Sequence, residues 1–252
     1  YCETVSIDLS AKGTANSDIV PESGMYSFDA SVIGNGEFGL NERIMEGAYA
    51  GISVFHTTDP DIKPVSAEIL WNDKRGPIAD LTFDKENKRV NFVATGNEGN
   101  ALIAVKDADG TILWSWHIWS TDQPTEQVYV NDRGTFTMLD RNIGATRNDR
   151  GEGEQWRESQ GMRYQWGRKD PFLGSCQTNA SAIALSTMDW PAYVESGPET
   201  GTTNYSLAHP TTFIIYNNLN YDWFYTGNST TDNTRWTTSE KDKSIYDPCP
   251  AG

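Results

Sequence analysis

The chain of 252 residues is poor in cysteine, histidine and positive charge, and each shortage closes off a class of function. Its cysteines, Cys2, Cys176 and Cys249, form no C-x-x-C pair, so zinc ribbons and thioredoxin-type redox sites are not expected. Their odd number permits at most one internal disulfide. The histidines, His56, His117 and His209, lie far apart and lack the i, i+4 pairing of a helical metal site. With 20 Lys and Arg against 35 Asp and Glu, the formal net charge of -15 repels phosphate backbones and anionic lipid. No nucleic-acid partner and no direct membrane insertion are expected. No stretch approaches the roughly 20 apolar residues of a membrane span. Residues 1–25 carry no signal-peptide pattern, so any export signal is expected to have been removed upstream of Tyr1.

Aromatic residues are plentiful, with 9 Trp and 11 Tyr, enough to build a packed core from few aliphatics. From Gly24 the chain alternates, with Tyr26, Phe28, Ala30 and Val32 on one side and Ser27, Asp29 and Ser31 on the other, the period of a half-buried strand. Further strands are predicted at 67–71, 78–83 and 89–94, the last two joined by the polar turn 84–88. The clearest hairpin joins 100–105 to 111–119 through Asp107-Ala-Asp-Gly110, whose Asp-Gly step supplies a left-handed residue. Trp114 and Trp116 share one face of that strand and Trp119 takes the other, which reads as sheet core. The polar segment 121–133 is the expected boundary between two domains, 1–124 and 134–252. Beyond it, 135–139 reads as a strand and 204–209 as a short helix stopped by Pro210.

Several patterns imitate reactive sites. Gly34-Asn-Gly-Glu-Phe-Gly39 has the G-x-G-x-x-G spacing of a dinucleotide loop, but the strand before it alternates instead of running apolar, and hairpins follow where a βαβ unit is needed. Asp107 and Asp109 begin like a calcium loop but lack its later ligands. The acidic loop 148–154 reads as a solvated charge run, with a weak calcium site as the alternative. No Gly-x-Ser-x-Gly elbow is present, and no histidine is placed in sequence to activate a nucleophile. The expectation is therefore no enzyme, no cofactor and no metal.

Two runs carry a resemblance: Leu-Asp-Arg-Asn-Ile-Gly-Ala at 139–145 and Gly-Met-Arg-Tyr-Gln-Trp-Gly-Arg-Lys-Asp-Pro-Phe at 161–172. They resemble the core of the Fibrobacter succinogenes major paralogous domain of Bacteroidetes surface proteins, which is similar to C-type-lectin-like folds. Residues 209–214, 222–225 and 246–252 look like later landmarks of that domain, and 96–105 with 110–119 look like the β-sandwich preceding it in fimbrillin-like adhesins. The resemblance implies a mainly β protein: an N-terminal Ig-like or transthyretin-like β-sandwich, then an α+β C-type-lectin-like domain. In that family the last motif continues through further strands, so the domain is expected to be cut short at Gly252 or to continue outside the given sequence.

The implied function is cell adhesion at an extracytoplasmic, outer-membrane-associated surface, with a minor or tip fimbrial component as one setting. The implied partners are an extracellular glycan, a host or bacterial surface protein, or pilin subunits. A glycan-binding module of a polysaccharide-utilisation system is the alternative. Loop aromatics are the candidate ligand contacts, because their faces stack on sugars and anchor interfaces, with a role as core anchors as the alternative reading. Trp190, Tyr193, Trp223, Tyr225 and Trp236 are singled out, with Tyr221 in the same Gly-, Asn- and Thr-rich stretches. Arg163, Gln165, Arg168, Lys169 and Asp170, inside the strongest motif, read as a charge-paired structural corner.

Overall fold

A computed structural model describes residues 6–11, 13–34, 62–73, 75–172, 192–231, 233, 235–236 and 244–250. Cys2, Cys176, His56, Trp190 and all of the 34–39 glycine run after Gly34 lie outside the described residues. The protein is mainly β, and its described strands form four sheets.

Two of these sheets have four strands each and face one another. The first orders β1 (Ile7–Asp8), β3 (Gly24–Asp29), β6 (Arg89–Ala94) and β5 (Ile78–Asp84). The second orders β2 (Ser17–Val20), β8 (Ile112–Ser120), β7 (Gly99–Lys106) and β4 (Ser66–Asn72). Alternation sets what enters the space between them. Val90, Phe92 and Ala94 from β6, with Tyr26 and Phe28 from β3, meet Ile103, Val105, Trp116 and Ile118 from the second sheet in one buried cluster. Beyond β3 the backbone leaves strand geometry, so Ile33 takes the buried place that strict alternation gives Val32. The 107–110 turn forms as expected: Asp107 Oδ1 accepts the Asp109 and Thr111 amides at 3.0 and 2.9 Å, and Gly110 sits at φ +85°. Two short strands escape sequence reading because they pair in parallel with distant partners, β1 with β3 and β2 with β8.

The central strands of the second sheet are covered on both faces. Ser115, His117 and Trp119, on the side of β8 turned away from the sandwich, are each at most 1% exposed. The second half of the chain covers them. Trp119 Nε1 donates to the Ala145 carbonyl at 3.0 Å, Asn100 Nδ2 to the Gly144 carbonyl at 3.0 Å, and Trp71, Leu102 and Phe172 form a second buried cluster. Leu207, Ile245 and Tyr246 join the main core. The halves thus meet along a continuous buried seam.

The segment expected to be a polar linker is partly strand. β9 (Glu126–Asn131) pairs antiparallel with β10 (Gly134–Leu139), with Phe136 opposite Tyr129 and Thr137 opposite Val128. Val128, Tyr129, Val130, Phe136 and Met138 are all exposed, so both faces of this ribbon are open. β9 was hidden because its polar flanks dominate the composition, whereas the Val-Tyr-Val run has strand propensity. A short ribbon joins β11 (Tyr193–Glu195) to β12 (Phe213–Ile215) in parallel, and α1 (Thr203–Ala208) lies between these strands in the chain, capped by Thr202 Oγ1, which accepts the Tyr205 amide. Among the described residues no helix is long and apolar enough to cross a membrane.

Candidate functional site

Folding assembles two constellations with the look of catalytic groups. Parallel pairing sets Ser17 beside His117, where Ser17 Oγ lies 3.0 Å from Nδ1 and Asn100 Oδ1 lies 2.9 Å from Nε2. Asn100 commits its amide to Gly144, so its carbonyl faces the ring. His117 is therefore the neutral Nε2–H tautomer, and Nδ1 accepts from Ser17. Next to it along β8, Lys169 Nζ donates to Ser115 Oγ at 2.6 Å, to the Ser115 carbonyl at 2.8 Å and to Asp170 Oδ1 at 2.6 Å, while lying 4.6 Å above the Trp114 ring. Both resemble nucleophile–base pairs in distance alone. Ser17 and His117 are 0% exposed, Ser115 1% and Lys169 2%, so no substrate atom reaches them. They are polar mortar between the halves.

Burial pulls the His117 imidazole down to about 3, well below an unfolded histidine near 6.5. Between those values the unfolded chain binds a proton that the folded one does not, so the histidine's contribution is full above pH 6.5 and is lost on acidification. Wild-type protein is expected to lose stability relative to His117→Gln by about 1.4 kcal/mol per pH unit below 6.5. Asp18 and Asp73, which burial lifts to about 7 and about 6, titrate in the opposite sense but are common to both proteins. The groups facing the ring, Ser17, Asn100 and the Tyr164 hydroxyl, do not titrate in this range. Urea unfolding of both proteins from pH 7 to 4 checks this, and parallel curves refute it.

The 161–172 motif is a hub, as the reading of a structural corner expects. Arg168, 2% exposed, donates to the Thr212 carbonyl at 2.7 Å and the His209 carbonyl at 3.1 Å, so it caps the C-terminal end of α1. The Gln165 side chain imitates a short strand: its Nε2 donates to the Ile214 carbonyl at 2.7 Å and its Oε1 accepts the Ile214 amide at 3.2 Å. The two resembling runs also touch, since the Met162 amide donates to the Ile143 carbonyl at 2.8 Å. Gly144, at φ +84°, leaves space that a Cβ would lose, 2.5 Å from the Met162 side chain.

The predicted ligand aromatics separate. Trp223 is 4% exposed, its Nε1 donates to the Trp166 carbonyl at 2.6 Å, and the guanidiniums of Arg168 and Arg235 lie 5.8 and 5.3 Å from its ring. It presents no face to a ligand, which corrects its assignment as a contact residue. Trp236 is partly buried against the main core and donates from Nε1 to the Arg168 carbonyl at 3.0 Å. Tyr225 is half-buried. Of the described members of this set only Tyr193, 53% exposed and edge-on to Phe213, stands open.

A more prominent feature lies just upstream of Trp223. Tyr216 and Tyr221 are 55% and 76% exposed, with ring centroids 5.8 Å apart and planes tilted by 41°. The loop between them is fixed by two asparagines. Asn217 Oδ1 accepts the Leu219 and Asn220 amides at 2.9 and 3.2 Å, and its Nδ2 donates to the Asp222 carbonyl at 2.9 Å. Asn220 donates to the Thr230 carbonyl at 2.8 Å. Tyr221 is thereby held at φ +56°, a left-handed conformation that costs a non-glycine residue about 1–3 kcal/mol. Sequence reasoning noted Tyr221 but passed over Tyr216. The run Tyr-Asn-Asn-Leu-Asn-Tyr at 216–221, with Asn at turn positions between two tyrosines, was the signal.

A cleft of about 500 Å³ lies at the base of β10, lined in part by Met138, Arg141, Arg147, Ser159 and half-buried Cys249. Its cations are already paired, Arg141 with Asp122 and Asp140, and Arg147 with Asp149 at 2.8 Å. The last pair also occupies an acid of the 148–154 loop. Among the described residues no cluster of three or more His, Cys, Asp or Glu is placed to hold a metal. Compared with protein-family models and with curated proteins, the chain matches none.

Proposed function

We propose that this protein is a non-catalytic, extracytoplasmic adhesin that recognises a glycan or protein through the tyrosine loop at 216–222. The observation that carries the reading is the conformation of Tyr221, a strained backbone spent on displaying a ring beside Tyr216. Pre-organised aromatic faces flanked by Asn side chains suit stacking on a sugar or anchoring an interface. The buried state of both catalytic look-alikes speaks against an enzyme. The resemblance of 139–145 and 161–172 to the major paralogous domain supplies the surface setting, in which the sandwich is Ig-like or transthyretin-like and the second half is C-type-lectin-like.

Double replacement Tyr216→Ala/Tyr221→Ala is expected to leave the melting temperature within about 2 °C, as exposed substitutions do. It is expected to weaken, at least tenfold, binding to any glycan that wild-type protein selects from an array of plant, bacterial and mucin glycans. Undiminished binding by the double variant removes the loop from the site. The β9–β10 ribbon favours a second reading, assembly with pilin subunits, because its open edges accept a donated strand by backbone hydrogen bonding. A glycan-binding module of a polysaccharide-utilisation system uses the same loop. Neighbouring transporter and glycosidase genes support the module, and fimbrial anchor genes support the adhesin.

A further inference from the structure

The β9–β10 ribbon stands clear of the rest of the protein, with every residue from Thr125 to Met138 exposed. A hairpin of two strands is at best marginally stable in water and gains independence only with further strands or a covering layer. Among the described strands, β9 and β10 pair with each other and with no third.

The outer edge of β10 is unguarded. The Asp140 amide donates to the Thr125 carbonyl at 2.9 Å, so the even-numbered residues of β10 turn their backbone groups toward β9. By alternation Thr135, Thr137 and Leu139 turn theirs outward. Folded proteins protect such an edge with charge, proline or a bulge. Gly134–Leu139 contains no charged residue and no proline, and its register with β9 runs without a shift. β9, by contrast, carries Glu126.

The strand also complements itself. Laid antiparallel on a second copy about a twofold axis at Thr137, it sets Thr137 opposite Thr137 and Thr135 opposite Leu139, each pair exchanging its outward N–H and C=O groups. The same register sets Phe136 opposite Met138 of the second copy, a sulfur–aromatic pair, while Tyr129 lies across from Phe136 within each ribbon. One face of the joined sheet then carries Tyr129, Phe136 and Met138 from both copies, all of which stand exposed in the single chain. No like charges meet along the paired strands, which matters for chains that each carry a net charge of -15.

We propose that the protein forms a twofold dimer through β10, which joins two ribbons into one sheet in the order β9, β10, β10, β9. The dimer does not rest on the tyrosine loop or on ligand binding. One edge-to-edge contact is smaller than the roughly 1,200–2,000 Å² of a standard stable interface, so association is expected at micromolar concentration. Added salt strengthens it, because screening weakens the repulsion between two acidic chains.

Sedimentation equilibrium at roughly 10–100 μM tests this, and wild-type protein is expected at twice the chain mass. Thr137 is exposed, so Thr137→Lys and Thr137→Glu keep the fold. Each variant is expected to be monomeric, because the twofold sets the new charge against its own copy. An equimolar mixture of the two is expected to restore the dimer, since opposite charges then face each other. A monomeric wild type, the result if β10 receives a strand from a different protein, overturns the proposal. So do variants that remain dimeric alone, or a mixture that remains monomeric.

Discussion

Replacing Lys169 by methionine is expected to destabilise the protein by about 3–5 kcal/mol, the usual result of removing one member of a buried ion pair. The ammonium satisfies Asp170 and both oxygens of Ser115, and all three residues are at most 2% exposed. Its loss leaves the Asp170 carboxylate inside the seam with, among the described residues, the Ser115 hydroxyl 2.5 Å away as its remaining hydrogen-bond donor. For a chain of this length the melting temperature should fall by about 10 °C. The double variant Lys169→Met/Asp170→Leu is expected to recover much of the loss, because an apolar pair of similar volume carries no stranded charge. A Lys169→Met protein that melts within about 2 °C of wild type refutes the description of the seam.

Trp223→Ala is expected to cost a further, independent 3–5 kcal/mol or so, read as a lowered urea midpoint. The indole is buried, hydrogen-bonded to the Trp166 carbonyl and placed between Arg168 and Arg235. Arg235 is held by Asp222 at 2.7 Å, but its Nε and Nη1 have no partner, so loss of the ring exposes a poorly satisfied guanidinium to a cavity. Gly167 takes part in the same packing: a Cβ there would lie 2.3 Å from Arg235 Nε. A Trp223→Ala protein of wild-type stability would return that residue to the list of ligand contacts.

Sequence alone made the sandwich legible where one face of a strand meets water. The alternation of β6, with Val90, Phe92 and Ala94 inward, and the Asp-Gly turn at 109–110 are local signals that tertiary structure left intact. The period of β8 also showed two faces, but not what covers the second. Ser115 and His117 on that face find their partners at Asp170, Asn100 and Ser17, and Asp170 and Ser17 lie 55 and 100 residues away. Trp223 was misread for a similar reason. Its neighbours Asp222 and Tyr221 belong to a loop, whereas the ring is drawn inward by the 161–172 hub. The function of that hub as a cap for α1 depends on carbonyls at 206–212, which no local pattern of Arg168 announces.

On the proposed function, Tyr221 displays its ring to a ligand and Trp223, two positions on, supports the loop from within. The most direct test therefore compares Tyr221→Ala with Trp223→Ala in a single experiment, measuring melting temperature and affinity for the strongest glycan hit of the wild-type protein. The expected result is that Tyr221→Ala melts within about 2 °C of wild type and loses affinity at least tenfold, while Trp223→Ala melts about 10 °C lower. Wild-type affinity in Tyr221→Ala, or lost binding in a Trp223→Ala protein that melts normally, contradicts it.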